Sequence, residues 1–288
     1  MGLKWLAMAF GLLLFNSSWA ESVIRTIGPQ STADGSHAYY TDLLEQVIAV
    51  TEQSFGPARL ELVEHPGQGR VIRLLAMNLH YDVMWTGTSE QREETLRAIK
   101  VPIFLGGLGI RGQLIHQDRL SDFQQVRSLS DLRPFIACQG EHWPDADVLE
   151  AAGLRVARVG RFESMLEMLA RQRCDYLPLS IVEGQAELDA VAERFPELVF
   201  FDQLLLRYPL VMYFFVHKDN TALAERIEQG MQLLAESGVL LQFMQQHPVT
   251  QAAFPLSRYQ QARVLELDNP LFKDSEVLSA AQFWLSLD

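Results

Sequence analysis

Cysteine is scarce in this chain of 288 residues, which contains Cys138 and Cys174 and no others. The two do not have the spacing of metal ligands. Each lies in an apolar segment with the pattern of a buried strand. We therefore expect two buried free thiols. A disulfide between them is the alternative, because an oxidising compartment permits such bonds.

Clusters of basic residues are also missing. The chain has 36 acidic and 24 basic side chains and a formal net charge of −12, and its lysines and arginines are scattered. Affinity for nucleic acid comes from clustered lysine and arginine side chains that contact phosphates. The composition therefore argues against a nucleic-acid-binding role.

Long apolar runs are confined to the N-terminus. Lys4 precedes an apolar stretch over residues 6–15, and Ser18 and Ala20 place small side chains at the −3 and −1 positions of a cleavage site. This pattern is typical of a secretory signal peptide. The apolar stretch is shorter than the roughly 20 apolar residues that are needed to span a bilayer. We expect residues 1–20 to be removed. No cysteine follows to carry a lipid, so the expected product is soluble and periplasmic.

Motifs of familiar catalytic sites are missing as well. The seven histidines include no H-x-x-x-H or H-E-x-x-H pair, and the chain has neither a P-loop nor a G-x-S-x-G nucleophile motif. We therefore expect no catalytic residues, no metal and no cofactor. The sequence favours a binding protein over an enzyme.

What the sequence does contain is a regular alternation of short apolar runs and amphipathic helical stripes. Tyr40, Leu43, Leu44 and Val47, for example, recur at helical spacing. Strands that alternate with helices predict parallel sheets and an α/β fold. The predicted strands are Val23–Ile27, Leu60–Val63, Tyr81–Thr86, Phe135–Cys138, Val156–Val159, Asp175–Leu179 and Val211–Val216.

Two breaks divide this pattern, at the glycine-rich residues 106–109 and at Arg207–Pro209. We expect lobe 1 to contain residues 21–106 and, with the C-terminal tail, residues 211–288. Lobe 2 would contain residues 107–210, and the two crossing segments would form a hinge. Open α/β sheets bind ligands at the carboxyl ends of their strands. A cleft between the lobes is therefore the predicted site.

Four segments resemble those of a known family. Residues 81–92 read as a strand, a small-residue turn and the start of an arginine-bearing helix, and residues 101–104 lead into the first crossing. Residues 130–140 resemble an entry into a second lobe, and residues 208–227 a return strand with its helix. In this order and spacing they resemble the type 2 periplasmic solute-binding fold, in particular the family 3, polar amino-acid receptors of ABC transporters.

The resemblance implies a monomeric receptor, not embedded in the membrane, that closes its lobes on a small polar solute. It implies an amino acid or a related carboxylate as the solute and an inner-membrane ABC permease as the partner. Two alternatives stay open. A receptor of this fold can report its ligand to a membrane kinase or cyclase, and some proteins of this fold are dehydratases.

The resemblance also implies ligand-binding residues in lobe 1. Arg92 matches the family arginine that holds a ligand carboxylate, and a guanidinium suits a bidentate carboxylate contact. Thr88 and Gln91 fit a capping box that would direct helix N–H groups at the cleft. Trp85 and Thr86 end the third predicted strand, where cleft residues lie.

Two adjacent tyrosines lie at the first strand–helix junction. We expect Tyr40 to face the core and Tyr39 to cover the ligand. In lobe 2, Gln139 and Trp143 follow a strand end and are expected to contact the ligand from the other side.

Ser180 marks a departure from the family pattern. The amino-acid receptors have there an aspartate that pairs with the ammonium group of the ligand, and Glu183 is the nearby candidate to replace it. Arg111 either binds a second anionic group or, as we expect, pairs with a carboxylate of the protein.

Overall fold

A computed structural model describes residues 21–30, 34–273 and 275–287 of the chain. The predicted signal peptide, residues 1–20, lies outside the described residues. None of the helices in the described ranges combines the length and the apolar character needed to cross a membrane.

Strands and helices alternate through most of the described chain. The strands are β1 (Ser22–Ile27), β2 (Ala58–Val63), β3 (Val83–Gly87), β4 (Arg97–Ala98), β5 (Ile110–His116), β6 (Ile136–Gly140), β7 (Arg155–Val159), β8 (Tyr176–Ser180), β9 (Leu198–Arg207), β10 (Met212–Val216) and β11 (Arg263–Glu266). The helices are α1 (His37–Phe55), α2 (Gln68–Ala76), α3 (Glu90–Thr95), α4 (Leu120–Gln125), α5 (Leu129–Leu132), α6 (Pro144–Ala151), α7 (Phe162–Ala170), α8 (Gly184–Val191), α9 (Thr221–Glu236), α10 (Val239–Gln246) and α11 (Ser275–Ser279).

The strands of lobe 1 follow the order β2-β1-β3-β10-β4. β1 pairs with β2 in parallel, and β10 is antiparallel to both β3 and β4. β1 lies beside β3, where the Asp82 amide donates to the Arg25 carbonyl at 2.8 Å and the Thr26 hydroxyl to the Val83 carbonyl at 3.1 Å. β10, the last of these strands along the chain, is therefore inserted between β3 and β4.

Lobe 2 repeats this order in a six-stranded sheet, β7-β6-β8-β5-β9-β11. β6 is parallel to β7 and β8, whereas β5 is antiparallel to β8 and β9. In each lobe the reversed strand is the one that follows a crossing from the other lobe. The predicted two-lobed α/β fold is thus confirmed, and β5 is among the strands that the sequence pattern did not predict.

The C-terminal tail differs from the expected division of the chain. β11, placed with lobe 1 by the sequence analysis, pairs in parallel with β9 and so extends the sheet of lobe 2. Beyond it, the Leu285 amide donates to the Leu105 carbonyl at 2.8 Å, and the Trp284 ring covers Gly106. The tail therefore packs on the first crossing segment as well as on lobe 2.

The two crossing segments run side by side. The Tyr208 amide donates to the Gly109 carbonyl at 3.1 Å, and Ile110 pairs with Arg207. A Cβ atom on Gly109 would overlap the Tyr208 carbonyl oxygen. Glycine at 109 therefore permits the close approach of the two segments.

The expectation of free thiols is wrong, because Cys138 and Cys174 form a disulfide with a Cα–Cα distance of 5.7 Å. Cys138 lies in β6, and Cys174 precedes the neighbouring β8. The register pairs Ala137, the neighbour of Cys138, with Tyr176 of β8, so the two cysteines lie in or just before adjacent strands. Considered one strand at a time, the sequence did not reveal this pairing.

Candidate functional site

A polar cavity lies between the lobes, where the carboxyl ends of the parallel strands meet. Lobe 1 contributes Ile27 at the end of β1 and Trp85 and Thr86 near the end of β3. Lobe 2 contributes Trp143 after β6 and Glu183 after β8. The volume of the cavity that is open to water-sized molecules is about 90 Å³. This is several times the volume that one ordered water needs. Its place and size suit a small solute.

The structure divides the predicted site residues into two groups. Four of them line the cavity, namely Trp85, Thr86, Trp143 and Glu183. The others are absent from its described lining and lie behind it or beside it, namely Arg92, Thr88, Tyr39, Gln139 and Ser180.

Aromatic rings line the cavity from both lobes. The ring of Tyr40 stacks on that of Trp85 with a centroid distance of 4.7 Å and an interplanar angle of 15°. Across the cavity, Trp143 stacks on Phe162 at 6.3 Å. Stacking of this kind restricts the orientation of the rings in both aromatic walls.

The two adjacent tyrosines occupy the reverse of their expected places. Tyr39 is fully buried in lobe 1, where its ring stacks on Phe104 at 4.7 Å and its hydroxyl donates to the Ile103 carbonyl at 3.1 Å. Tyr40 instead reaches the cavity. Helix α1 buries both tyrosines together with Leu43, so the apolar stripe was wider than the predicted one and did not identify which tyrosine faces outward.

Arg92 is buried, and its terminal nitrogens already have partners. One donates to the Thr86 hydroxyl at 2.9 Å and to the Gly87 carbonyl, and the other donates to the His142 carbonyl of lobe 2. Burial lowers the pKa of Arg92 to about 10, against the opposing influence of nearby aspartates. Arg92 therefore links the lobes beside the cavity instead of projecting into it.

The cap of helix α3 also differs from the expected one. Ser89 is the N-cap, and its side chain accepts from the Arg92 amide at 3.4 Å. The Thr88 hydroxyl donates to Glu93 at 2.6 Å. The capping box expected from Thr88 and Gln91 is therefore replaced by a cap one residue later, and Thr88 does not face the cavity.

Arg111 is a buried residue that lines the cavity. Its guanidinium forms an ion pair with the Asp145 carboxylate at an N···O distance of 2.5 Å and lies 3.9 Å from a carboxylate oxygen of Glu183. The Tyr208 hydroxyl donates to Asp145. Burial alone would lower the pKa of Arg111, but Asp145, Tyr208 and Glu183 outweigh it and raise the pKa above its ordinary value. The expected pairing of Arg111 with a carboxylate is confirmed.

Two glutamates one helical turn apart face the cavity from lobe 2. Glu183 accepts from the Tyr40 hydroxyl of lobe 1 at 2.9 Å, and Glu187 accepts from the Gly35 amide at 3.3 Å. Burial raises the pKa of both carboxyl groups, and that of Glu187 reaches about 8, with the charges of Asp34 and Glu183 adding to the effect. A pKa of about 8 favours the protonated form of Glu187 at neutral pH.

Gln139 and Ser180 support the cavity from behind. The Gln139 side-chain amide donates to the Pro178 carbonyl at 3.2 Å, and the Ser180 hydroxyl donates to the Gly107 carbonyl at 2.9 Å. Both residues are fully buried. Ser180 thus ties the end of β8 to the first crossing segment.

The cavity residues that sequence reasoning missed include Asp34, Tyr40, Asp145 and Glu187. For two of these residues, the sequence contains a feature that could have identified them. Glu187 follows Glu183 by four residues and so shares its helix face, and Asp145 lies just after a strand end beside Pro144 at the start of a helix. Within the described parts of the chain, no group of three or more histidine, cysteine, aspartate or glutamate residues could hold a metal ion.

Comparisons of sequence identify no relative of this chain. No protein-family model matches it, and no curated protein does so.

Solved structures, in contrast, share its fold. An ancestral arginine-binding protein bound to arginine matches with a TM-score of 0.55 at 15% identity, over 78% of this chain and 97% of that one. A histidine kinase sensor domain with similarity to periplasmic binding proteins matches with a TM-score of 0.55 at 17% identity, over 77% and 93%.

A third match, also with a TM-score of 0.55, is the ancestral amino acid-binding protein AncCDT-1, a precursor of cyclohexadienyl dehydratase. It is 11% identical, over 78% of this chain and 94% of that one. At these identities the likeness concerns the fold. The chain has the two-lobed α/β fold of the periplasmic amino-acid-binding proteins, as its sequence motifs predicted.

Proposed function

We propose that this protein binds a small polar solute between its lobes and closes on it by movement at the two crossing segments. The supporting observation is the cavity that both lobes line at the carboxyl ends of their strands. A ligand shifts an open–closed equilibrium only when it contacts the closed state better than the open one. The Tyr40–Glu183 and Arg92–His142 hydrogen bonds bridge the lobes beside this cavity.

The proposed role of binding is delivery of the solute to an inner-membrane ABC permease, by a monomer in the periplasm. The proposal is supported by the fold, which is shared with the substrate-binding protein of an amino acid ABC transporter at 12% identity and a TM-score of 0.54. The signal-peptide pattern at residues 1–20 supports the location.

A sensor role is the second candidate, because a histidine kinase sensor domain has the same fold. In that role the closed protein would contact a membrane kinase or cyclase. Neighbouring genes separate the two roles: a permease and an ATPase favour transport, whereas a kinase or cyclase favours sensing.

Catalysis is the third candidate. A precursor of a dehydratase has this fold, and a carboxyl group such as Glu187, with a pKa of about 8, has the acidity of a general acid or base. We propose binding without turnover. Formation of a product from a bound carboxylic acid, followed by NMR, would overturn this part of the proposal.

A thermal-shift screen tests the binding role. The protein is unfolded and refolded to remove any co-purified ligand, and then screened against amino acids, small carboxylates, amines and polyols. A solute present at 100 times its Kd should add about 2.7 kcal/mol to the free energy of unfolding. The proposal fails if no solute raises the melting temperature.

A further inference from the structure

We infer that the cavity selects an organic cation, a small solute with an ammonium or guanidinium group and without a carboxylate. This inference rests on the proposed solute-binding function and names the chemical class of the solute. It departs from the expectation that Arg92 anchors a ligand carboxylate.

The charges that line the cavity are the first argument. Asp34, Asp145, Glu183 and Glu187 line the cavity together with Arg111, the one guanidinium among the described lining residues. Arg111 is already paired with Asp145 at 2.5 Å. An anionic solute would therefore meet three further carboxyl groups and an arginine that is already paired, whereas a cation would favour the ionised form of those carboxyl groups.

The aromatic walls are the second argument. Tyr40 and Trp85 form one wall and Trp143 and Phe162 the other. The faces of such rings attract ammonium and guanidinium groups, most strongly where water is excluded. Carboxylates between aromatic rings suit an organic cation better than a metal ion, because a ring face offers a metal no oxygen ligand.

The position of Arg92 is the third argument. Its terminal nitrogens donate to Thr86, Gly87 and His142. A ligand carboxylate would have to displace these contacts, including the one that joins the lobes. A solute without a carboxylate leaves them in place.

Glu187 gives the inference a pH signature. The groups that face it are Asp34, the Gly35 amide and Ser36 from the segment before α1, and Glu183 from its own helix. A bound cation favours the ionised form of the Glu187 carboxyl group. Binding should therefore release a proton near neutral pH.

Two matched pairs of solutes test the charge class by isothermal titration: agmatine against arginine, and choline against betaine. In each pair the second member carries a carboxylate that the first lacks. A panel of other amines, carboxylates and polyols accompanies them in the thermal-shift screen. We expect the tightest solute to be a cation without a carboxylate and its carboxylated counterpart to bind at least tenfold more weakly.

The outcomes are distinguishable. If the tightest solute is anionic, zwitterionic or neutral, the inference is wrong and the solute-binding function stands. If no solute binds, the proposed function fails and the inference fails with it.

Variants of the two glutamates provide a second test. Glu183→Gln and Glu187→Gln keep the size of the side chains and one acceptor oxygen, remove the charge, and should each weaken binding of the cation at least tenfold. Glu193→Gln, on the exposed surface just after α8, is the matched control and should change nothing. Unchanged binding of the cation in both glutamine variants would overturn the inference.

Discussion

Glu187 is a buried carboxyl group whose pKa is raised from its ordinary 4.5 to about 8, chiefly by burial. Between these two values the folded protein holds a proton that the unfolded chain has released. The free energy of unfolding therefore falls as pH rises through this range. Glu187→Gln should weaken that dependence and raise the free energy of unfolding at pH 8 by on the order of 2–4 kcal/mol, since one pKa unit corresponds to about 1.4 kcal/mol.

Urea denaturation between pH 5 and pH 8 measures this effect. Glu193→Gln, the exposed control, should retain the pH dependence of the parent protein. An unchanged pH dependence in Glu187→Gln would show that Glu187 is ionised in the folded protein.

Gly109 is the residue at which the crossing segments touch. A Cβ atom there would overlap the Tyr208 carbonyl oxygen, which belongs to the backbone and cannot rotate away. Gly109→Ala should therefore lower the free energy of unfolding by roughly 2–4 kcal/mol, as measured by chemical denaturation. In the control Gly160→Ala, the nearest atom lies 3.5 Å from the new Cβ, and stability should change by less than about 1 kcal/mol. Equal effects of the two variants would contradict a close crossing.

The sequence predicted cavity residues at or just after strand ends, such as Trp85 in β3 and Trp143 after β6, because strand ends can be identified from the hydrophobic pattern. It could not identify which of Tyr39 and Tyr40 faces the core, since α1 buries both. It also could not show that the donors of Arg92 are taken up by Thr86, Gly87 and the distant His142. Those contacts depend on how the lobes meet.

Among the secondary-structure elements, β6 and β8 are joined by the Cys138–Cys174 disulfide, which closes a loop with a sequence separation of 36. A cross-link of this span stabilises mainly by restricting the unfolded chain, by about 4 kcal/mol in the loop-entropy model. The Cys138→Ala/Cys174→Ala double variant should unfold at lower denaturant concentration by a corresponding amount.

Reductant provides the control for the disulfide prediction. It should destabilise the parent protein and leave the double variant unchanged. The prediction fails if the parent protein has the same stability with and without reductant.

β5 shows why the hydrophobic pattern of the sequence does not identify every strand. It is a central strand between β8 and β9, with both faces covered, and Arg111 and Gln113 within it are buried. Polar side chains in a buried strand interrupt the apolar run that marks such strands. Their partners, Asp145 for Arg111 and the Leu204 carbonyl for Gln113, lie far away along the chain.

For the whole molecule, the alternation of strands and helices predicted two α/β lobes, and the structure confirms the architecture. The inserted antiparallel strands and the return of β11 to lobe 2 were not predicted, because they depend on contacts between segments distant in sequence. The chain has a net charge of −12, and the described lining of its cavity includes four carboxyl groups and one guanidinium.

The central claim is that both lobes bind one solute, and titration of variants from each lobe tests it most directly. The Kd of the solute selected by the thermal-shift screen is measured for Trp85→Leu in lobe 1, Trp143→Ala in lobe 2 and Met77→Ala, whose side chain is 65% exposed. Melting curves first establish that each variant is folded. We predict that both tryptophan variants raise Kd at least tenfold and that Met77→Ala leaves it unchanged. An unchanged Kd in either tryptophan variant would contradict binding between the lobes.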